Sequence, residues 1–262
     1  MSLRVAQITD CHFTSRPGKL LHGIDVDATL ARVIQLLKRW QPDRLLVTGD
    51  LSDCGDPSSY RRLRKAVQSI DVPTNVIPGN HDHKGNLQRH YLGGQQRLYA
   101  RIESAHWDLL MLDSSLAGHE EGHLGGDQLS WLGDCLRRSG NRPKLIFLHH
   151  HPLPVGDQWL DCMRLKNADT LWSALAAANG VEALVCGHIH QVVETRHQGI
   201  PMLSTPSTCS QARPGQPEFV DDDLGPGFRW FELEASGEWH TGVIRTPESA
   251  MTITRQFGSE SN

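Results

Sequence analysis

Seven side chains able to bind metal recur in this chain at one kind of place, just past a short apolar run. Asp10 and His12 follow residues 3–9, Asp50 follows 45–49, Asn80 follows 75–79, His150 stands in a histidine run after 144–148, and His188 and His190 follow 183–187. Oxygen and nitrogen donors delivered from five strand ends are what a pair of borderline metal ions needs, with Asp50 as the candidate shared ligand. Two such ions about 3.5–4 Å apart hold a water between them, lower its pKa and clamp the attacking and leaving oxygens at phosphorus. The chemistry is then phosphoester hydrolysis. Residues i and i+2, as in Asp10-x-His12 and His188-x-His190, share a side only where the backbone is extended, and both pairs read as strand exits.

The elements around these residues read as α/β. Residues 3–9 predict a strand, with Asp10-Cys11-His12 opening the loop that follows. Asp27 predicts a helix N-cap, with Leu30, Val33, Ile34 and Leu37 on one face and Pro42 beyond its end. Strand two leads to Asp50. Asp56-Pro57 predicts a second capped helix carrying Tyr60, Leu63, Val67 and Ile70, and a strand over 75–77 runs into Pro78-Gly79-Asn80-His81-Asp82. A β-α-β-α-β order implies parallel strands.

The middle predicts strands over 99–102 and 107–112, a helix holding Leu129, Leu132 and Leu136, and a strand over 144–148 that delivers His149-His150-His151-Pro152. Asp169 predicts the cap of a helix with Leu171, Trp172 and Leu175, closed by Gly180, before a strand over 183–186. From Gln191 short strands over 192–196, 201–204, 228–233 and 238–244 read as antiparallel. Between them, 205–227 reads as a long irregular loop broken by Pro206, Pro214, Pro217 and Pro226. Residues 1–245 form one domain in this reading, and 246–262 a polar, frayed tail.

Composition narrows the function classes. A net charge of −4 leaves no basic footprint for duplex nucleic acid or an anionic membrane. Fifteen histidines against three tyrosines and six phenylalanines point toward ligation. The six cysteines show no CxxC pair and read as reduced thiols. The start of the chain has no signal-peptide pattern, and no apolar run reaches the roughly 18 residues of a membrane span, so a soluble, cytoplasmic protein is expected.

Together Asp10-x-His12, Gly49-Asp50, Gly79-Asn80-His81-Asp82, the His-x-Pro element at His150 and Gly187-His188-x-His190 resemble the full motif set of the calcineurin-like metallophosphoesterases. Longer strings, 149–154, Trp159-Leu160-Asp161, 186–191 and 205–209, resemble the bacterial class III 3',5'-cyclic AMP phosphodiesterases. The resemblance implies a four-layer αββα sandwich of two mixed sheets flanked by helices, and attack on cyclic AMP by a metal-bridging hydroxide to give 5'-AMP. It implies one metal at Asp10, His12, Asp50 and His190 and a second at Asp50, Asn80, His150 and His188. His150 is selected because the family ligand stands two before the proline.

His81 is implied as the catalytic histidine, donating a proton or stabilising charge, with Asp82 orienting it; His12, Asn80, His81 and His190 are implied to meet substrate. Fe²⁺ or Mn²⁺ is the implied metal, although the donor types also permit Zn²⁺. Less selective phosphodiesterases of the family, acting for example on glycerophosphodiesters, share every ligand, and the cap and the 205–227 loop are expected to decide between substrates; a non-catalytic scaffold of the same fold would be marked by missing ligands, and none is missing here. Cap loops that meet across dimers in the family allow a homodimer. Arg213 and 208–211 are candidate base or phosphate contacts, and His22 and His83 are the best candidates among the remaining histidines.

Overall fold

Strands with apolar residues on both faces have to be covered on both sides, and here that requirement produces layers. The computed structural model describes residues 2–94, 97–247 and, as backbone, 253–257. In chain order its first elements are β1 (Leu3–Ile8), α1 (Val26–Trp40), β2 (Arg44–Thr48), α2 (Pro57–Gln68), β3 (Thr74–Ile77), α3 (Lys84–His90), β4 (Ala100–Glu103), β5 (Asp108–Met111) and α4 (Gly126–Ser139). There follow β6 (Lys144–Phe147), α5 (Gln158–Cys162), α6 (Ala168–Ala176), β7 (Val181–Cys186), β8 (Glu194–His197), β9 (Ile200–Ser204), β10 (Gly227–Leu233), β11 (Trp239–Arg245) and β12 (Ile253–Phe257).

One six-stranded sheet has the order β12-β11-β10-β1-β2-β3 and the other β4-β5-β6-β7-β9-β8. Both are mixed: β1, β2 and β3 are parallel while β10 to β12 pair antiparallel, and β5, β6, β7 and β9 are parallel with β4 and β8 antiparallel at the edges. Strand alternation assigns the faces. Val5 and Leu46 of one sheet meet Leu109, Met111, Leu145, Phe147 and Val185 of the other in a core between the sheets. The intervening residues Ala6, Ile8, Leu45 and Val47 face outward against α1 and α2. Leu110, Ile146 and Leu184 likewise face outward against α4 and α6. Three apolar cores thus hold two mixed sheets between helices.

Several local expectations shift. Asp25, not Asp27, caps α1, accepting from Ala28 N at 3.1 Å, and Asp27 instead pairs with Arg62 at 2.7 Å. Asn167, not Asp169, holds the N-cap position of α6, and its amide binds Leu124 N and O rather than its own helix. The strand expected at 201–204 is antiparallel only on its β8 side; on the other it runs parallel to β7, because the β8–β9 hairpin returns the chain to the sheet's interior. Residues 253–257, read as part of a tail, pair antiparallel with β11 as a sixth strand. Among the described residues no helix is long and apolar enough to cross a membrane.

Candidate metal centre and active-site cleft

The loops leaving the C-terminal ends of β1, β2, β3, β6 and β7 gather at one edge of the two sheets, where open α/β folds place ligands. Backbone bonds lace them together: Asp10 N donates to Gly49 O at 3.0 Å, His12 N to Asp50 O at 2.9 Å, and Gly187 N to His149 O at 3.0 Å. The segment after β9 closes the back of the cluster, with Ser207 Oγ donating to Asp10 O and Thr208 N to Thr9 O. Residues 208–211 are therefore buried and brace the cluster, with Ser210 also lining the cleft, and Arg213 faces Asp223 at 3.7 Å on the exposed side of the same loop.

Five candidate ligands adopt left-handed backbone angles: Asp10 (φ 54°), His12 (45°), Asp50 (48°), His188 (70°) and His190 (53°). Each costs on the order of 1 kcal/mol or more in a non-glycine residue. The extended backbone expected for the two i, i+2 pairs is thus replaced by tight left-handed turns past the strand ends, which aim Asp10 and His12 at one cluster but send His188 and His190 to different ones. Gly49 shows how close the loops approach, since a Cβ there would lie 2.2 Å from His149 Nδ1.

Asp10, His12 and His190 present ligand atoms within 4.8 Å of one another. His190 Nδ1 donates to Ser210 O at 2.9 Å, which leaves Nε2 with its lone pair, 3.2 Å from His12 Nε2 and 3.4 Å from Asp10 Oδ1. Asp50 Oδ2 lies 3.6 Å from His12 Nε2 and 3.3 Å from His149 Nε2. Asn80 Oδ1 stands 3.1 Å from the same His149 nitrogen, and His149 groups in turn with His188 and His150. Asp50 therefore sits between two sets of donors.

The histidine run resolves differently from the sequence expectation. His150 is committed at both nitrogens, Nδ1 2.8 Å from Ser114 Oγ and Nε2 3.1 Å from Glu120 O. His149 instead donates Nδ1–H to Thr48 O at 3.0 Å and turns Nε2 onto Asp50 and Asn80, the orientation of a ligand whose second nitrogen is anchored. On these contacts His149 is the better-placed third-motif candidate ligand, while His150 remains in the same donor cluster with His149 and His188.

The electrostatics of this donor set ask for positive charge. Burial opposes ionisation of Asp50, yet His149, His81 and His12 hold its carboxyl well below the usual range. Burial likewise disfavours charge on His149, but the Asp50 and Asp10 carboxylates outweigh it and push the imidazole up to about 9. Burial keeps His12 and His188 low, hence neutral, the form that binds metal. Asp10 Oδ1 and His188 Nε2 are buried without a hydrogen-bond partner among the described residues, and a cation in each of the two donor sets would satisfy them.

His12, Asn80, His81 and His190 line one cleft together with Asp50 and His188, while Asp10 and His149 are fully buried and Asp82 is half-buried outside its lining. His81 donates Nδ1–H to Asp53 O at 2.9 Å, and its backbone N donates to Asp50 Oδ1 at 2.9 Å. Burial opposes its charge, but Asp50 and Asp53 raise its pKa overall. Asp53, which carried no signal in the sequence beyond its nearness to Asp50, also faces His12 Nδ1 at 3.8 Å. His22 lines the cleft as well, whereas His83 caps α3 by accepting from Asn86 N.

Asp82 does not orient His81. Its carboxylate accepts from Gly79 N, Leu51 N, Ser52 N and Tyr60 Oη at 2.9–3.1 Å, tying the loop after β3 to the loop after β2. Burial, and then the Asp50 charge, push it up to about 6. Asp82→Ala strands three backbone donors and is expected to cost about 3 kcal/mol of stability, read from the urea midpoint. An unchanged midpoint with lost turnover would return Asp82 to the chemistry.

Comparison with known proteins adds the following. A family model described as calcineurin-like phosphoesterase matches residues 3–192. The chain is 35% identical over 254 residues, covering 96% of it and 93% of the relative, to the 3',5'-cyclic adenosine monophosphate phosphodiesterase CpdA of Pseudomonas aeruginosa. It is 38% identical to the enzyme of the same description from Vibrio vulnificus, covering 93% of this chain and 90% of that one. It is 34% identical to a 3',5'-cyclic-nucleotide phosphodiesterase of Nostoc, covering 95% and 94%. Among solved structures, a dimetal phosphatase from Danio rerio superposes with a TM-score of 0.74 at 13% identity, covering 98% of this chain and 99% of that one, which is a likeness of fold.

Proposed function

Because the chain belongs to the calcineurin-like phosphoesterase family, we propose that it hydrolyses 3',5'-cyclic AMP to 5'-AMP at a two-metal centre. The observation that carries the reading is the pair of donor sets sharing Asp50 at the floor of the cleft. One set is Asp10, His12, His190 and Asp50; the other is Asp50, Asn80, His149 and His188. Carboxylate, imidazole and amide oxygen suit Mn²⁺ and Fe²⁺ and admit Zn²⁺. Two divalent cations bound there supply Lewis acidity at phosphorus and activate water as the nucleophile.

The protein's own groups position and protonate. With Nδ1–H held on Asp53 O, His81 leaves Nε2 to act in the cleft, and the neighbouring Asp50 and Asp53 raise its pKa. Attack of water at phosphorus breaks the bond to the 3'-oxygen, and His81 Nε2–H gives that oxygen its proton. Asn80 and His12, also lining the cleft, meet the phosphoryl group. No lysine or arginine lines the cleft among the described residues, so the anionic end of the substrate depends on the metals for its charge balance. We take residues 1–245 as the catalytic domain and the cytoplasm as its compartment, since all six cysteines are free thiols.

Chromatographic product analysis with Mn²⁺-loaded protein tests the reading, with cyclic AMP and a glycerophosphodiester in parallel. Chelator-sensitive formation of 5'-AMP, preferred over the glycerophosphodiester, is the expected result. Turnover of the glycerophosphodiester alone would discard the cyclic-nucleotide substrate and keep the two-metal centre.

A further inference from the structure

Beside the candidate metal centre the cleft is walled by Leu21, Trp159, Leu160, Met163, Ile189 and Phe219. A glycerol or sugar alcohol placed there would lose water from its hydroxyls with little in return. A flat aromatic group laid face-on would lose less and gain ring contacts. Trp159 and Phe219 meet with their planes at 87° and centroids 6.2 Å apart, so a planar ring lying on one presents its edge to the other. Offset and edge-to-face arrangements of this kind are the favoured ones for aromatic pairs. Phe219 is also 6.3 Å, at 87°, from the ring of the candidate ligand His190, which places the wall beside the metal centre. The exposed His22 stands 5.4 Å from Phe219 at 33° and closes the corner from a third side.

We infer that Trp159 and Phe219 form the subsite that stacks the nucleobase of a cyclic nucleotide, an inference that rests on the function proposed above. The two rings come from segments far apart in the chain, and one buried carboxylate joins them. Asp157 precedes α5, which carries Trp159; its Oδ2 accepts from Gln191 Nε2 at 2.7 Å and its Oδ1 from Gly215 N at 2.6 Å. Gln191 follows the His188–His190 ligand turn, and Gly215 lies in the loop that carries Phe219. Asp157 is thus a positioning residue that sets the aromatic corner against the metal centre. Base recognition by stacking reads a π-face, which every nucleobase has.

The test compares kcat/KM for cyclic AMP with kcat/KM for the base-free ribose 3',5'-cyclic phosphate, on metal-loaded protein. Phe219→Ala and Trp159→Ala are each expected to lower the ratio of the two about tenfold, with KM for cyclic AMP carrying the change, and Phe219→Tyr is expected to restore it. Asp157→Ala should lower the same ratio through displacement of both rings. A wild-type protein that fails to turn over cyclic AMP would bring down the proposed function. A wild type that turns it over, with Phe219→Ala losing equally on both substrates or on neither, would overturn the stacking subsite alone.

Discussion

Asp50→Ala is expected to lower turnover of cyclic AMP by at least about a thousandfold and to strip bound divalent metal from the purified protein. The expectation comes from position. Asp50 Oδ2 is placed against both donor sets, 3.6 Å from His12 Nε2 and 3.3 Å from His149 Nε2. Its Oδ1 also accepts from His81 N, so its removal loosens the proposed proton donor as well. Losing a shared ligand removes Lewis acidity worth several kcal/mol at the transition state, and each 1.36 kcal/mol is about a factor of ten in rate.

Asp50→Asn separates charge from packing: it keeps the shape and the left-handed turn but removes the negative charge and one of the two acceptor oxygens, so metal content should fall while the fold persists. Elemental analysis, circular dichroism and kcat, measured together, check this. A folded Asp50→Ala protein with full metal content and full turnover would place the centre elsewhere.

The sheet-and-helix pattern was legible because burial leaves a local record. Residues such as Leu45, Leu46 and Val47 are apolar on consecutive positions only if both faces of the strand are covered, and the structure covers both. Asp10, Asp50 and His188 could be picked out for the same reason, as polar groups stranded at the end of apolar runs. What could not be read depends on partners distant in sequence. Thr48 O and Ser114 Oγ decide which of two adjacent histidines faces Asp50, and nothing in the run itself names them. Asp82 beside His81 suggested a pair, but its partners come from Gly79, Leu51, Ser52 and Tyr60. The left-handed turns at Asp10, His12, Asp50, His188 and His190 carry no sequence mark, because they are imposed by the loops packed around them. A string such as 205–210 could be matched to relatives but not interpreted until its hydroxyls and amides were seen bracing Gln7, Thr9 and Asp10.

The second large effect separates His149 from His150. His149→Gln is expected to lower kcat at least about a hundredfold and to reduce metal content, because Nε2 faces Asp50 Oδ2 at 3.3 Å and Asn80 Oδ1 at 3.1 Å. His150→Gln is expected to keep its metal and lose stability instead. Its ring is fully buried between Ser114 Oγ and Glu120 O, so the substitution disturbs two hydrogen bonds inside the protein, worth about 1–3 kcal/mol. The two variants change the same residue type at neighbouring, equally buried positions, which removes burial as the explanation for any difference between them. Metal stoichiometry read alongside the urea midpoint distinguishes them without reference to activity. Loss of metal from His150→Gln with retention in His149→Gln would restore His150 as the ligand and require the Ser114 and Glu120 bonds to give way when metal binds.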